Sequence, residues 1–249
     1  MFKAIMSDSS LLKDSISTIG ELIDEGIFKV NKNGLELIAA DRAMVAVVDF
    51  KLPATVFDKF EVDKEQSIAV NMTNLVSVLK RTGGNERLEL ELKDNKLEIR
   101  MKNASTRRFM VPLLDITQEE IPPINQLDFK AKVKIKSDIL KSGIEDADIV
   151  SDSVVFQAHK DGFNLRASGD ISSTELTLER GNDGLLDLNA TGIVMARYPL
   201  DYLKKIIKAS KLADQINLRW SKDYPIRIDF TSVDKVSLGF VLAPRVSEE

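Results

Sequence analysis

Apolar residues recur along this chain with two different periods. Between Ser9 and about Glu25, the residues Leu12, Ile16, Ile19 and Ile23 fall three or four apart, on one stripe of a helix with Ser9 or Ser10 as its N-cap. The runs "IFKVNKNGLELIA" and "VVFQAHKDGFNLRA" instead alternate around Asn33-Gly34 and Asp161-Gly162, the pattern of strands joined by hairpin turns. Further helices are expected from Ser137, over Met72 to Thr82, and over Pro199 to Lys211, where a leading proline lacks only an N–H that would be unbonded anyway. The run "LELELKDNKLEIRM" turns at Asp94-Asn95, and "INLRWSKDYPIRIDF" turns at Lys222-Asp223.

The two halves share one plan. A shift of 128 residues sets Leu12 on Leu140, Ile16 on Ile144, Phe28 on Phe156, Gly34 on Gly162, Leu37 on Leu165 and Leu75 on Leu203. Apolar coincidence alone would not also align the turns, so each half reads as helix, hairpin, more strands, a second helix and further hairpins. Two helices on one face of antiparallel sheet make an α+β domain, and it occurs twice. The expected division is 1–114, a connecting loop at 115–127, and 128–249. In "LLDITQEEIPPINQLDF", Pro122-Pro123 forbids helix and strand interior, while Glu119 and Glu120 favour solvent.

Composition narrows the chemistry. The 43% hydrophobic and 30% charged fractions suit a folded chain. The absence of cysteine excludes disulfides, thiolate nucleophiles and cysteine-ligated metals. The N-terminus lacks the apolar core of a signal peptide and no apolar run is long enough to cross a bilayer, so an intracellular protein is expected. The single histidine, His159, sits in the hairpin tip "AHKDG", which suits an exposed turn rather than a catalytic base. Carboxylates are plentiful but no pair has a distinguishing spacing, so neither enzyme chemistry nor a cofactor is expected.

The net charge is −4, yet cations gather on helices. Lys204, Lys205, Lys208 and Lys211 lie on the helix whose apolar face is Leu200, Leu203, Ile206 and Ile207. Lys80 and Arg81 occupy the equivalent place in the first half, and Lys13 and Lys141 sit 128 apart on the two opening helices. A single lysine stripe is most often a solvated face. Four equivalent helices with outward cations fit presentation to an anion, and without a Gly-rich phosphate loop a long polyanion fits better than a compact nucleotide pocket.

Four stretches, "GLELIAADRAMVAVVDF" at Gly34–Phe50, "STRRFMVPL" at Ser105–Leu113, "DADIVSDSV" at Asp146–Val154 and "LAPRV" at Leu242–Val246, resemble the proliferating cell nuclear antigen family, the DNA sliding clamps of archaea and eukaryotes. The resemblance runs the full length and is archaeal in detail. It implies a trimeric ring of six similar domains, helices lining the hole and sheets outside, that encircles duplex DNA and tethers polymerase, flap endonuclease and ligase during replication and repair. In an archaeal cell that places it in the cytoplasm with the nucleoid.

The resemblance also implies site residues. Lys13, Lys80, Arg81, Lys141, Lys204, Lys205, Lys208 and Lys211 would face DNA phosphates without reading sequence. Subunits would join edge to edge through Arg107, Arg108, Phe109 and Val111 on one side and Thr174, Leu176 and Leu178 on the other, with Glu145 and Asp146 supplying ion pairs; Arg81 could serve either DNA or this joint. Partner peptides, including those of the clamp loader, would dock on Ala40, Met44, Val45, Val47, Phe129, Pro225, Val241, Leu242, Ala243 and Pro244, rimmed by Ile124 and Leu127 of the connecting loop. Phe129 would return the chain to the core beside Val45 and Pro225. The alternative is a monomeric two-domain scaffold that binds only proteins.

Overall fold

The computed structural model describes residues 1–83, 86–117 and 120–245. The chain forms two compact units. The first holds Met1–Arg42, Val48–Ile121 and Ser232–Leu238; the second holds Ala43–Val47, Pro122–Thr231 and the described residues of Gly239–Glu249.

In the first unit β1 (Phe2–Met6) leads into α1 (Ser10–Ile19), followed by β2 (Glu25–Asn31), β3 (Gly34–Ala40), β4 (Ala46–Pro53), β5 (Lys59–Val62) and β6 (Gln66–Asn71). Then come α2 (Met72–Leu79), β7 (Arg87–Lys93), β8 (Lys96–Lys102) and β9 (Thr106–Pro112). One sheet has the order β5-β1-β7-β8-β9, and a second run has the order β4-β3-β2-β6. The turn between β2 and β3 requires glycine: Gly34 has φ +141°, and a Cβ there would lie 2.1 Å from the Leu52 carbonyl oxygen.

The second unit repeats this sequence of elements as β10 (Ala131–Lys136), α3 (Ser137–Val150), β11 (Ser153–His159), β12 (Gly162–Ser168), β13 (Ser173–Glu179), β14 (Leu185–Ala190) and β15 (Val194–Pro199). It ends with α4 (Leu200–Ile206), β16 (Gln215–Trp220), β17 (Ile226–Ser232) and β18 (Val236–Leu242). Its strand orders, β14-β10-β16-β17-β18 and β13-β12-β11-β15, copy those of the first unit strand for strand. The 128-residue shift superposes β2 on β11, β3 on β12 and β6 on β15 without a slip.

Several expected boundaries move. The first helix ends at Ile19 rather than near Glu25, with Gly20 as its C-cap packed on α2, where a Cβ would come within 2.8 Å of the Val76 side chain. Leu22 and Ile23 still enter the core, from a turn. Neither serine caps α1 with its side chain; the Asp8 carboxylate accepts from the Ser10 N–H at 2.9 Å instead. The second helix stops at Leu79, leaving Lys80 as its C-cap and Arg81 beyond it. The fourth helix tightens after Ile206 into a 3₁₀ turn over Ile207–Leu212. After the two prolines the connecting loop makes a 3₁₀ turn at Ile124–Gln126 that buries Ile124; Glu119 lies outside the described residues.

Helices and sheets meet through alternating strand residues. In the second unit, Phe156 pairs with Leu165 and Ala196, and Leu165 pairs with Leu176, making one apolar row. Gly143 of α3 rests on that row, since a Cβ there would be 2.8 Å from Leu165 and 3.1 Å from Leu176. The intervening row, Glu175-Arg166-Val155-Arg197, therefore faces away from α3.

The five-stranded sheet of the first unit carries a charged lattice. Arg100 contacts Glu89 at 3.5 Å, Glu98 at 3.8 Å and also Glu91, while Arg108 reaches Glu98 at 2.7 Å. A hydrogen bond from Lys93, 2.7 Å away, does most to hold the Glu98 carboxyl below the usual range; burial opposes it, and the Arg100 and Arg108 charges add to it. At Glu89 burial acts upward but is outweighed by the Lys102 bond at 2.8 Å and by the Lys102, Arg100 and Arg87 charges. Both pKa values are lowered on folding, so their stabilisation is complete above the ordinary Glu range, about 4.3, and is lost as pH falls through the folded values. Urea unfolding should give a flat stability from pH 7 to 5 and a decline below about pH 4. Arg100→Gln should cost about 1–3 kcal/mol at pH 7, by leaving three carboxylates to repel one another, and should shrink the acid decline.

Candidate functional site

Helix position decides what each cation can do. Lys13 is half-buried on α1, whereas Lys80 and Arg81 are exposed just past the end of α2, where positive charge complements the helix dipole. The Arg81 carbonyl accepts from Arg107 at 2.9 Å, which ties this corner to β9. Lys141 faces Glu145 at 3.8 Å one turn on, with Asp138, Asp146 and Asp148 exposed on the same helix. α3 thus presents one lysine among carboxylates rather than a cationic stripe.

Positive charge concentrates on α4 and its extension. Lys204 holds Asp148 of α3 at 2.7 Å, and Lys205 lies 5.5 Å from the centre of the Tyr202 ring. Because the chain is 3₁₀ from Ile207, Lys208 and Lys211 are a full turn apart and stand one above the other. Both are exposed.

β9 and β13 end their sheets, with a neighbour on one side only. The two edges share one burial alternation. Val111 and Leu178 correct the sequence expectation: both point into the core of their own unit, 3% and 5% exposed, so they bring backbone but no side chain to an edge. Phe109, Thr174 and Leu176 are half-buried, and Met110, not expected, is exposed. Arg107 is occupied by Glu86 at 2.5 Å, Arg108 by Glu98, and Glu145 by Lys141, so these ion pairs lie within the chain. The Glu86 carboxyl is held low by the Gly83 N–H and then by Arg107.

The expected peptide pocket separates into parts. In the second unit, Val45, Ala243 and Pro244 line a cleft of about 850 Å³ whose opposite wall is Val150, Asp152, Pro199, Leu200, Asp201 and Tyr202. The Ala243 N–H donates to the Val45 carbonyl at 2.9 Å, the Arg245 N–H to the Arg197 carbonyl at 2.7 Å, and the Arg245 guanidinium meets Asp152 at 2.5 Å. Met44, at φ +56°, is exposed at the turn before Val45. By contrast Val47, Ile124, Val241 and Leu242 are buried and present no surface to a peptide. Phe129 stacks edge-on against Tyr224, 6.4 Å away, beneath the Arg219 guanidinium. Pro225 and Leu127 are half-buried. Val246 lies outside the described residues.

Ala40 belongs to the first unit. It lines a groove of about 540 Å³ with Ile23, Ile27, Ile38, Ile116, Thr117 and Ile121, edged by Asp24, Glu25, Asp115 and Arg42. Sequence reading placed Ile23 on a helix stripe and missed this groove; the apolar Ile116 and Ile121 inside a polar linker were the available signal. Among the described residues no group of three or more His, Asp or Glu could hold a metal ion, and no helix is long and apolar enough to cross a membrane. His159 accepts from the Asp161 N–H at 3.3 Å, a local turn bond.

Two family models match the chain: the proliferating cell nuclear antigen N-terminal domain over residues 1–120, and its C-terminal domain over 123–245. The DNA polymerase sliding clamp of Pyrococcus abyssi is 36% identical over 248 residues, covering 99% of both chains. The clamp of Pyrococcus horikoshii is 35% identical over the same span. Among solved structures, PCNA from Thermococcus kodakaraensis has a TM-score of 0.91 and 29% identity, covering 98% of this chain and 100% of its own. The PCNA2–PCNA3 complex of Sulfolobus tokodaii includes a chain with a TM-score of 0.89 and 26% identity, covering 98% of this chain and 99% of its own. With the doubled fold and full-length matches to both halves, the chain belongs to the proliferating cell nuclear antigen family.

Proposed function

We propose that this chain is a DNA polymerase sliding clamp, a processivity factor rather than an enzyme, that works as a ring of three copies around duplex DNA. The observation that carries the ring is the pair of sheet edges β9 and β13, each with a neighbour strand on one side only. A second copy that lays its β13 along β9 covers both edges and removes an aggregation liability. Phe109 and Met110 supply apolar contact from one edge, and Thr174 and Leu176 from the other.

Residues 1–114 and 128–249 are read as the two domains of each subunit, joined by 115–127. The cations past α2 and along α4, with Lys13 and Lys141, meet DNA phosphates irrespective of sequence. Arg81 serves this corner together with the interface, since its carbonyl already anchors Arg107. Polymerase, flap endonuclease, ligase and the clamp loader are held through short peptides at the cleft of Val45, Ala243 and Pro244 and at the groove beside Ala40. The place of work is the cytoplasm, with the nucleoid.

Sedimentation of the purified chain should give a mass near three times 27.8 kDa, and Phe109→Ser combined with Met110→Glu should reduce it to one subunit. The same double variant should no longer be retained on closed circular DNA; retention by a monomer, or unchanged retention on cut DNA, would remove the encirclement reading. Docking residues and core residues separate by a second measurement. Val45→Ser and Pro244→Ser should each leave unfolding within about 0.5 kcal/mol. Calorimetry with an aromatic-rich peptide from a replicative polymerase should then show binding weakened about tenfold or more. Leu242→Ala should instead cost about 2–5 kcal/mol of stability, because it opens a cavity in the core.

A further inference from the structure

The fold makes the groove beside Ala40 twice. On the outer face of β11, β12 and β15 a concavity of about 280 Å³ includes Ser151, Ser153, Val155, Arg166 and Ser168. Shifted back by 128 residues these positions are Ile23, Glu25, Ile27, Ile38 and Ala40, all of which line the first-unit groove. The backbone scaffold is thus repeated, while its chemistry is changed. An isoleucine has become Arg166, another has become Ser151, and Glu25 has become Ser153. The remaining lining comes from Gln157, Met195 and Arg197, and no carboxylate lines the concavity.

We propose that this second-unit groove is a binding site for a small phosphate-type oxyanion. Arg166 and Arg197 flank Val155 on either side across three adjacent strands, which sets their backbones roughly 10 Å apart and lets the two guanidiniums converge on one anion. Ser151 and Ser168 add hydroxyl donors, the Ser153 hydroxyl being bonded to Asp152, and Val155 and Met195 form an apolar floor. The volume falls just below the roughly 300–1,000 Å³ of drug-sized pockets, which suits a phosphate group better than a larger ligand.

Two further observations point to a ligand. Arg166 is held from behind: its Nε donates to Glu175 at 2.7 Å, a carboxylate also bound by Asn164 at 2.9 Å. Bonds from Asn164 and then Arg166 keep the Glu175 carboxyl low, so it remains an anion that orients Arg166 while the terminal nitrogens stay available to the groove. Second, the amide oxygen of Gln157 is buried with no hydrogen-bond partner among the described residues. It can accept from a protonated phosphate oxygen or from the hydroxyl of a phosphate ester. These are side-chain donors on a rigid sheet, so the absence of a Gly-rich loop does not bear on them.

Isothermal titration of the full chain with sodium phosphate, and separately with phosphoserine, against chloride at equal ionic strength tests the site. Saturable binding of one phosphate per chain is expected, weakened about tenfold or more by Arg166→Gln and by Arg197→Gln. Lys160→Gln, an exposed charge at the hairpin tip, should leave it unchanged. Preference for phosphoserine identifies a phosphate ester as the source, and preference for phosphate identifies the free ion. Absence of saturable binding, or equal loss in all three variants, overturns the proposal. Thermal unfolding of each variant in chloride serves as the folding control: where an arginine variant is destabilised, binding is read from Ser168→Ala and Ser151→Ala. Binding unaltered in both serine variants then overturns the proposal as well.

Discussion

The two faces of each sheet in this molecule are set by alternation along strands whose other face is covered. Once Gly143 lets α3 settle on Leu165 and Leu176, the parity of every residue in β11, β12, β13 and β15 is fixed. Odd and even positions then lead different lives: Phe156, Leu165 and Ala196 build the core, while Val155, Arg166 and Arg197 form an outer floor. A slip of one residue would exchange the two sets. The same rule puts Val111 and Leu178 inside, sets the half-buried Phe109 on the same face as Val111 and turns Met110 outward.

Much of this was legible in the chain itself. The 128-residue shift, the hairpin turns and the four helices come from periodicity and turn chemistry, both local properties. What failed was whatever depends on contacts distant in sequence. α1 ends at Gly20, which packs closely on Val76, and periodicity continues past it because Leu22 and Ile23 are core residues without being helical. The 3₁₀ tightening after Ile206 keeps the same apolar residues inside, so no pattern announces it.

The site was legible to a lesser degree. The family resemblance placed Val45, Ala243 and Pro244 together, and they share a cleft. It placed Leu242 there too, because an apolar residue next to a pocket and one inside the core look alike until the direction of the side chain is known. Cations were found without their partners: Arg107 with Glu86, Arg108 with Glu98 and Lys141 with Glu145 are pairings between or along elements that spacing alone did not single out. The groove beside Ala40 escaped because its lining is scattered over a turn, two strands and a linker.

The bond between Lys204 and Asp148 bears on how a charged surface can let a polyanion move. A lysine that already holds a carboxylate gains little by exchanging it for a phosphate, since one ion pair is made as another is broken. Half-exposed pairs of this kind are worth about 1 kcal/mol or less, so the exchange is close to neutral in either direction. On the proposed sliding-clamp function, a backbone passing over such a pair would meet a shallow well rather than a deep one, and the acidic neighbour would act as a lubricant rather than an obstacle.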